Sequence, residues 1–411
     1  MTRRVAMITT SYPRFPGDGV GTFLEPIAKG IANLNHRIDV IAPWHPLVKR
    51  PQREDNVHFH FFRYAPSKNL HVFGYASALK ADVKLRGSAY LVAPLAVGMG
   101  RSTLRRVVQS SRSDLIHAHW VVPSGFIASA KGSIMTIPLV VSLHGSDVYL
   151  AETNFLARMA ARSVFRRASW ITACSDDLAG RAIALGADSK RITVIPYGVD
   201  TDRFRPNTET REELRRKHNL GSNDPVLVTA GRLVRKKGFE YLVDSLPALI
   251  CHHPRLRLVV AGGGDLQNAL EQRASTVGVR DNIIFLGSVQ QDDIARWLTT
   301  ADVAVIPSVK DDSGNVDGLP NVLLEALSSG TPVVATAAGG MGLVAKDGQT
   351  ARVVPERNSE ALTTAITDVL SNPETAAELG KSGRELMCLQ HSWTHTANLF
   401  NEVYDRTLRR S

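Results

Sequence analysis

Residues 317–336 read DGLPNVLLEALSSGTPVVAT, in which a turn-forming start leads into an apolar stretch of helix length and then a short apolar run. Gly318 and Pro320 favour a turn, and Pro320 suits the first position of the helix that follows. The run PVVAT is typical of a strand buried on both faces of a parallel sheet. The segment therefore predicts a turn, a helix and a buried parallel strand in succession.

Similar apolar runs recur along the rest of the chain. The first half contains RVAMITT, RIDVIA, DLIHAHW, PLVVSLHG, WITACS and RITVIPYG, and the second half contains PVLVTAG, LRLVVAG, NIIFLG and DVAVIP. Helix-like stretches lie between them, for example 22–33, 124–131, 154–168 and 176–184. Because strands and helices alternate and the alternation restarts after 201–225, we predict two Rossmann-like, doubly wound α/β domains. Their predicted bounds are 1–200 and 201–391, with a helix in 392–411 that packs back on the first domain.

Composition narrows the class of protein. The chain has 411 residues, 44% hydrophobic and 21% charged, which excludes disorder and collagen-like structure. Three widely spaced cysteines form no CxxC pair and favour a reducing cytoplasm over a disulfide framework. No apolar run approaches eighteen residues, so any membrane contact is expected to be peripheral. Of the net charge of +10, residues 1–200 carry 25 Lys+Arg against 13 Asp+Glu, so the first half should face something acidic.

Asp317 and Glu325 flank the start of the predicted helix in 317–336. The backbone N–H groups of Gly318 to Asn321 and the positive end of the helix dipole would point at an anion such as a phosphate. Glu325 would lie about one turn inside the helix. The bare pattern also fits an ordinary helix opening with a surface acid.

A cationic turn, GRLVRKKG at 231–238, follows the predicted strand PVLVTAG. Cations there can neutralise a diphosphate leaving group, although a basic turn is more often only a solvated surface. In the first half, HGSD at 144–147 follows PLVVSL, where a histidine can orient a sugar hydroxyl or pass a proton. Gly17, Gly19 and Gly21 follow the first strand, where small residues allow close approach to a ligand.

These motifs resemble those of retaining nucleotide-sugar glycosyltransferases of family 4, whose two Rossmann-like domains (the GT-B fold) face each other across a cleft. By that resemblance Glu325 binds the donor ribose, Arg232 and Lys237 bind the diphosphate, and His144 contacts the donor sugar. The main chain around Val289, in FLGSVQ, is implied to contact the nucleobase. The family has a glutamate where this chain has Asp317. The implied catalytic residues are His144, Asp317, Arg232 and Lys237, and the implied donor-binding residues are Gly21, Arg232, Lys237, Val289, Asp317, Gly318, Leu319, Pro320, Asn321 and Glu325.

The resemblance implies a retaining hexosyltransferase that uses a UDP- or GDP-linked sugar. The expected acceptor is a glycan, either lipid-linked or an envelope or exopolysaccharide intermediate. No cofactor or metal is expected, because the cations and the helix N-terminus can balance the leaving charge, no DxD-type motif is present, and His117 and His119 lack a third ligand. A nucleotide-sugar 2-epimerase is the alternative enzyme.

The positive charge of the first half allows two further interpretations. A non-enzymatic binder of acidic polymers could use the cations Lys80, Lys84, Arg86, Arg101, Arg105, Arg106 and Arg112, but no nucleic-acid-binding motif accompanies them and no nucleic-acid partner is expected. The same cations lie among Leu79, Val83, Leu85, Tyr90 and Leu91, which favours an interfacial helix on an anionic membrane. The expected location is cytoplasmic, with the inner face of the cell membrane as a candidate docking surface.

Overall fold

The structure is a computed structural model that describes residues 2–71, 74–75, 79–80, 84–85, 87–130, 132 and 134–409. The chain divides into two compact units. The first comprises Met1–Tyr197 together with Trp393–Ser411, and the second comprises Gly198–Ser392.

Sixteen strands are assigned in the described residues. In chain order they are β1 Arg4–Ile8, β2 Arg37–Pro43, β3 Arg53–Glu54, β4 Val57–Phe62, β5 Leu79–Lys80, β6 Lys84–Leu85, β7 Leu115–His119, β8 Leu139–Leu143, β9 Trp170–Ala173, β10 Ile192–Val194, β11 Val226–Ala230, β12 Arg257–Ala261, β13 Ile283–Gly287, β14 Val303–Ile306, β15 Val333–Thr336 and β16 Arg352–Val354.

Fourteen α-helices connect these strands in the same part of the chain. In order they are α1 Leu24–Asn33, α2 Gly87–Ser111, α3 Phe126–Ala128, α4 Ser146–Thr153, α5 Phe155–Arg167, α6 Asp176–Ala184, α7 Thr208–Lys217, α8 Phe239–His252, α9 Gln267–Thr276, α10 Gln291–Thr300, α11 Asn321–Ser328, α12 Ser359–Ser371, α13 Pro373–Gln390 and α14 Trp393–Arg409. None of the helices in the described ranges is long and apolar enough to cross a membrane.

The first unit is built on a sheet of eight strands in the order β10-β9-β8-β7-β1-β2-β4-β3. All neighbours pair in parallel except β3 with β4. The central strands β1, β7 and β8 are almost wholly buried, as continuous apolar runs require. On one face α1 and α14 pack together, so that Ile27 and Ile31 share a core with Phe400 and Tyr404.

The second unit is built on a sheet of six strands in the order β13-β12-β11-β14-β15-β16, all of them parallel. The order reverses at β11, where β12 and β13 lie on one side and β14 to β16 on the other. In an open parallel sheet such a switch point leaves a crevice at the carboxyl ends of the strands, where ligands bind. Leu242, Leu246 and Leu258 form part of the core under the sheet.

The predicted fold class is confirmed, since both units are doubly wound α/β structures.

Three local predictions were wrong. Within the described residues of the helix expected over 124–131, Phe126–Ala128 is α-helical, and a wider π-helical turn, Val121–Gly125, occupies its start. The interfacial helix expected around Leu79 to Leu91 begins only at Gly87, and Leu79–Lys80 pairs with Lys84–Leu85 as a two-stranded antiparallel hairpin. Val83 and Arg86 of that prediction lie outside the described residues, and nothing is described of the side chains of Lys80, Lys84 or Tyr90. Pro320 occupies the cap position just before α11 rather than the first helical position.

Candidate functional site

Asp317 lies at the centre of a charged cluster in the second unit. Its carboxylate lies 2.8 Å from the Lys237 ammonium and 3.5 Å from that of Lys236, and the Ser308 hydroxyl donates a hydrogen bond to it at 2.9 Å. Burial opposes ionisation of this side chain, which is only 8% exposed. The two lysines and Ser308 nevertheless hold the pKa of Asp317 well below its usual range. The ionised form of the carboxyl is therefore favoured, and it holds two lysine side chains beside it.

A short 3-10 turn, Arg235–Lys237, brings both lysines to that carboxylate. It follows β11, and Gly238 ends it in the left-handed conformation, with φ of +62°, before α8 begins. A Cβ at Gly238 would lie 2.0 Å from the carbonyl oxygen of Pro307, so only glycine fits here. The close approach of this turn to the end of β14 sets the position of the lysines.

Glu325 is the fifth residue of α11 and is 8% exposed. Burial raises the pKa of its carboxyl to about 7, against the opposing charges of Lys237 and Arg203. A carboxylate that is poorly stabilised by the protein gains from hydrogen-bond donors that a ligand brings. Both sequence-predicted acids are thus affected by the charge of Lys237: Asp317 through a direct ion pair, and Glu325 through the electrostatic effect of the ammonium on its pKa.

The remaining second-unit residues predicted for the site lie at the same edge of the sheet. Arg232 is an exposed side chain just after β11, and Val289 is half-buried just after β13. Gly318, Leu319 and Pro320 lead directly into α11, which begins at Asn321. The backbone N–H groups of Gly318 and Leu319 therefore lie at the positive end of the helix, whereas Pro320 has no N–H. Arg232 and the turn before α11 lie beside the switch point between β11 and β14, whereas Val289 lies beyond the end of the edge strand β13.

In the first unit, His144 follows β8 and its ring is held on both sides. Its Nε2 lies 3.0 Å from Nδ1 of His119, and its Nδ1 lies 2.7 Å from the Tyr197 hydroxyl. Burial lowers the pKa of His144 to about 3, so the ring is neutral and carries one N–H and one lone pair. Both ring nitrogens are therefore used inside the unit, an arrangement the sequence did not predict.

Asp147, the last residue of HGSD, organises this region by hydrogen bonds and was not among the predicted site residues. Its buried carboxylate accepts hydrogen bonds from the backbone N–H groups of Val121, His144 and Gly145, at 2.7, 3.2 and 3.1 Å. It therefore ties the end of β7 to the turn after β8. Its place three residues after a strand-end histidine, at the start of a helix, is the signal that sequence reasoning could have used.

Gly21 and two further histidines complete the predictions for the first unit. Gly21 has φ of +67° and lies in the segment between β1 and α1. The His117 ring contacts the Tyr404 and Ser142 hydroxyls, each at 2.7 Å, so its two nitrogens are engaged within the unit. In the described part of the chain no group of three or more His, Cys, Asp or Glu side chains is arranged to hold a metal ion.

Comparison with known proteins identifies relatives of both units. Residues 17–203 match the family model described as Glycosyltransferase Family 4, and residues 210–386 match the one described as Glycosyl transferases group 1. A GDP-mannose-dependent alpha-(1-6)-phosphatidylinositol monomannoside mannosyltransferase of Mycobacterium tuberculosis H37Rv is 30% identical over 295 residues, 71% of this chain and 75% of that protein. The protein of the same name from Mycolicibacterium smegmatis is 34% identical over 256 residues, 62% of this chain and 66% of that protein.

A solved structure shows the same fold over the whole chain. The sucrose-phosphate synthase of Thermosynechococcus elongatus superposes with a TM-score of 0.80 at 20% identity, covering 100% of both chains.

Proposed function

Because this chain belongs to glycosyltransferase family 4, we propose that it transfers a hexose-type sugar from a nucleoside-diphosphate sugar to an acceptor hydroxyl with retention of anomeric configuration. Family membership makes it a GT-B glycosyltransferase. The retention, the hexose and the identity of donor and acceptor are the proposal.

The observation that carries the proposal is the cluster of Lys237, Asp317 and Glu325 at the start of α11. Departure of a nucleoside diphosphate builds negative charge on its phosphates, and preorganised cations and backbone N–H groups stabilise that charge. The Lys237 ammonium, held by Asp317 at 2.8 Å, would lie against the diphosphate together with Arg232. Glu325 would accept hydrogen bonds from the ribose hydroxyls, which would stabilise its buried carboxylate.

Asp317 would have two tasks in this site. Its carboxylate is already bound to two lysines and to Ser308, so it would hold the cations for the diphosphate as well as contact the sugar. Transfer would then follow a front-face displacement, in which the acceptor hydroxyl attacks from the side on which the diphosphate leaves. The cations take the role of a divalent metal in this scheme.

The first unit would supply contacts to the donor sugar and to the acceptor. His144 can reach a sugar hydroxyl with a ring nitrogen only if it exchanges its bond to His119 or to Tyr197. Gly21 would allow a close approach of the backbone. We therefore propose that the neutral ring of His144 positions a sugar hydroxyl.

For donor and acceptor the relatives supply the first candidates. The two mycobacterial proteins are named as GDP-mannose-dependent and as acting on a phosphatidylinositol mannoside. We accordingly place GDP-mannose first among the donors to be tested and a lipid-linked saccharide first among the acceptors. An enzyme with such an acceptor would work in the cytoplasm at the inner face of the membrane.

The test begins with calorimetric titration of the protein with UDP, GDP and ADP in EDTA. We expect one nucleotide to bind, and to bind markedly more weakly to Lys237→Met and Glu325→Ala. Glu378→Ala, at an exposed position on α13, is the matched control and should bind like the parent. Absence of binding to all three nucleotides, with magnesium restored as well, would refute the donor site.

A second measurement separates transfer from epimerisation. A transferase releases nucleoside diphosphate in step with glycoside formation, whereas a 2-epimerase converts the nucleotide sugar without an acceptor. Product glycoside with the anomeric configuration of the donor, identified by NMR, is the expected result. Inverted product would leave the donor site standing and overturn the retaining mechanism.

A further inference from the structure

Helix α2 exposes a stripe of large apolar side chains in its first half. Leu91, Leu95 and Met99 are 80%, 53% and 45% exposed, and their spacing of four residues places them on one face of the helix. Arg106, also exposed, lies seven residues after Met99 and therefore continues the same face. The stripe is apolar at the start of the helix and cationic nearly two turns later.

Helix α5 repeats this arrangement. Phe155, Leu156 and Met159 are 70%, 71% and 48% exposed. Arg162 and Arg166, both exposed, lie seven residues after Phe155 and Met159 and hence on the same face. Exposed phenylalanine and leucine at the start of a helix cost solubility without contributing to the core, so a contacting partner is indicated.

Both helices are free of acidic residues. Within α2 there are three arginines, in α5 four, and neither contains aspartate or glutamate. An amphipathic surface of large apolar side chains and arginines without acids is the composition that binds an anionic lipid bilayer. It also accounts for much of the positive charge of the first half of the chain.

The topology of the sheet brings the two apolar ends to one edge. α5 follows α4 and leads directly into β9, and α2 leads into β7. Because β7, β8 and β9 are parallel, both helices begin on the side of the sheet where the strands end. Both also pack against α3, which places them on the same face of the sheet. His119 and His144 lie at the same carboxyl edge.

We propose that the starts of α2 and α5 form a docking surface for an anionic lipid bilayer. The apolar side chains enter the region between headgroups and acyl chains. At a rise of 1.5 Å per residue, Arg106 lies about 10 Å beyond Met99 on α2. Arg162 lies the same distance beyond Phe155 on α5, and these arginines bind lipid phosphates.

This docking surface extends the proposed function, because its role depends on the proposed acceptor being carried by a lipid. A saccharide whose lipid stays in the bilayer would enter the first unit at the edge that holds His144. Docking requires neither donor nor acceptor, and nucleotide binding requires no membrane. An experiment can therefore refute membrane docking without refuting the proposed sugar transfer, and the reverse is also true.

The test is flotation of the full chain with vesicles of phosphatidylcholine, alone or mixed with phosphatidylglycerol. We expect flotation with the anionic vesicles at low salt and its loss at high salt. Phe155→Ser with Leu156→Ser should weaken partitioning about tenfold or more. Arg162→Gln with Arg166→Gln should weaken it about fivefold for each arginine.

Leu389→Ser is the matched control, because Leu389 is 74% exposed and lies on α13 of the other unit. It should float like the parent, and all variants should melt at the parental temperature because the replaced side chains are exposed. Leu95→Ser, on α2, provides an independent variant of the same surface.

Three outcomes would refute the proposed docking of these helices on a bilayer. These are no flotation of the parent at low salt, variants that float like the parent, and a Leu389→Ser variant that is equally impaired. Conversion of a dimer to a monomer by Phe155→Ser with Leu156→Ser, without effect on flotation, would assign the surface to a second copy of the chain instead.

Discussion

Replacing Glu325 by glutamine should stabilise the protein at alkaline pH and weaken its hold on nucleotide. Burial raises the pKa of Glu325 from 4.5 to about 7. At 1.36 kcal/mol for each tenfold difference in proton affinity, the ionised carboxylate destabilises the fold by about 3 kcal/mol relative to its neutral form. Because the folded pKa lies above the unfolded one, this group's favourable contribution is present below pH 4.5 and is lost as the pH rises through 7.

The assay is urea denaturation of the parent and of Glu325→Gln at pH 5 and at pH 8. Other groups titrate alike in both proteins, so the difference in their unfolding free energies isolates Glu325. We expect the variant to gain about 2 to 3 kcal/mol relative to the parent between the two pH values, because part of the effect is already present at pH 5. At pH 8 the same variant should bind nucleotide about tenfold or more weakly, since a hydrogen bond to a charged acceptor is replaced by one to a neutral amide.

A difference in unfolding free energy that does not change with pH would refute the reasoning, because Glu325 would then not titrate near neutrality. Glu378→Gln, exposed on α13, controls for loss of a glutamate as such and should show no dependence of the difference on pH. Nucleotide affinity provides an independent check. It should rise with pH through 7 in the parent and stay flat in Glu325→Gln.

Three further predictions concern single contacts. Lys237→Met should lower nucleotide affinity more than Lys236→Met, because the first ammonium lies 2.8 Å and the second 3.5 Å from the same carboxylate; equal losses in calorimetry would contradict this ranking. Gly238→Ala should destabilise the protein by at least about 1 kcal/mol in urea denaturation, since its φ of +62° and the 2.0 Å approach of a carbonyl oxygen exclude a Cβ. Tyr197→Phe should leave the fold intact and change the KM for donor sugar, because it frees Nδ1 of His144; an unchanged KM would argue against a ring–sugar contact.

Much of the fold was predictable because buried parallel strands are encoded locally. The run PVLVTAG contains β11 and the run DVAVIP contains β14, since a strand covered on both faces must be apolar at every position. The helix predicted at 176–184 agrees with α6, which Ser175 caps by accepting a hydrogen bond from the N–H of Leu178. The spacing of Asp317 and Glu325 likewise placed the second carboxyl one turn into α11.

Contacts between distant parts of the chain could not be predicted in this way. Lys237 and Asp317 are eighty residues apart, and their ion pair exists only because β11 and β14 are neighbours in the sheet. The ring of His144 is fixed by Tyr197, which no local pattern connects to it. The strand β4 was also missed, although its sequence VHFHFF alternates, because it lies next to the sheet's edge and only part of it is buried.

The return of α14 to the first unit has a consequence for biosynthesis. A ribosome completes the second unit, Gly198–Ser392, before it releases the helix that fills the core of the first. Until then Ile27 and Ile31 lack the cover of Phe400 and Tyr404. The first unit therefore cannot complete its hydrophobic core until the last residues of the chain have been synthesised.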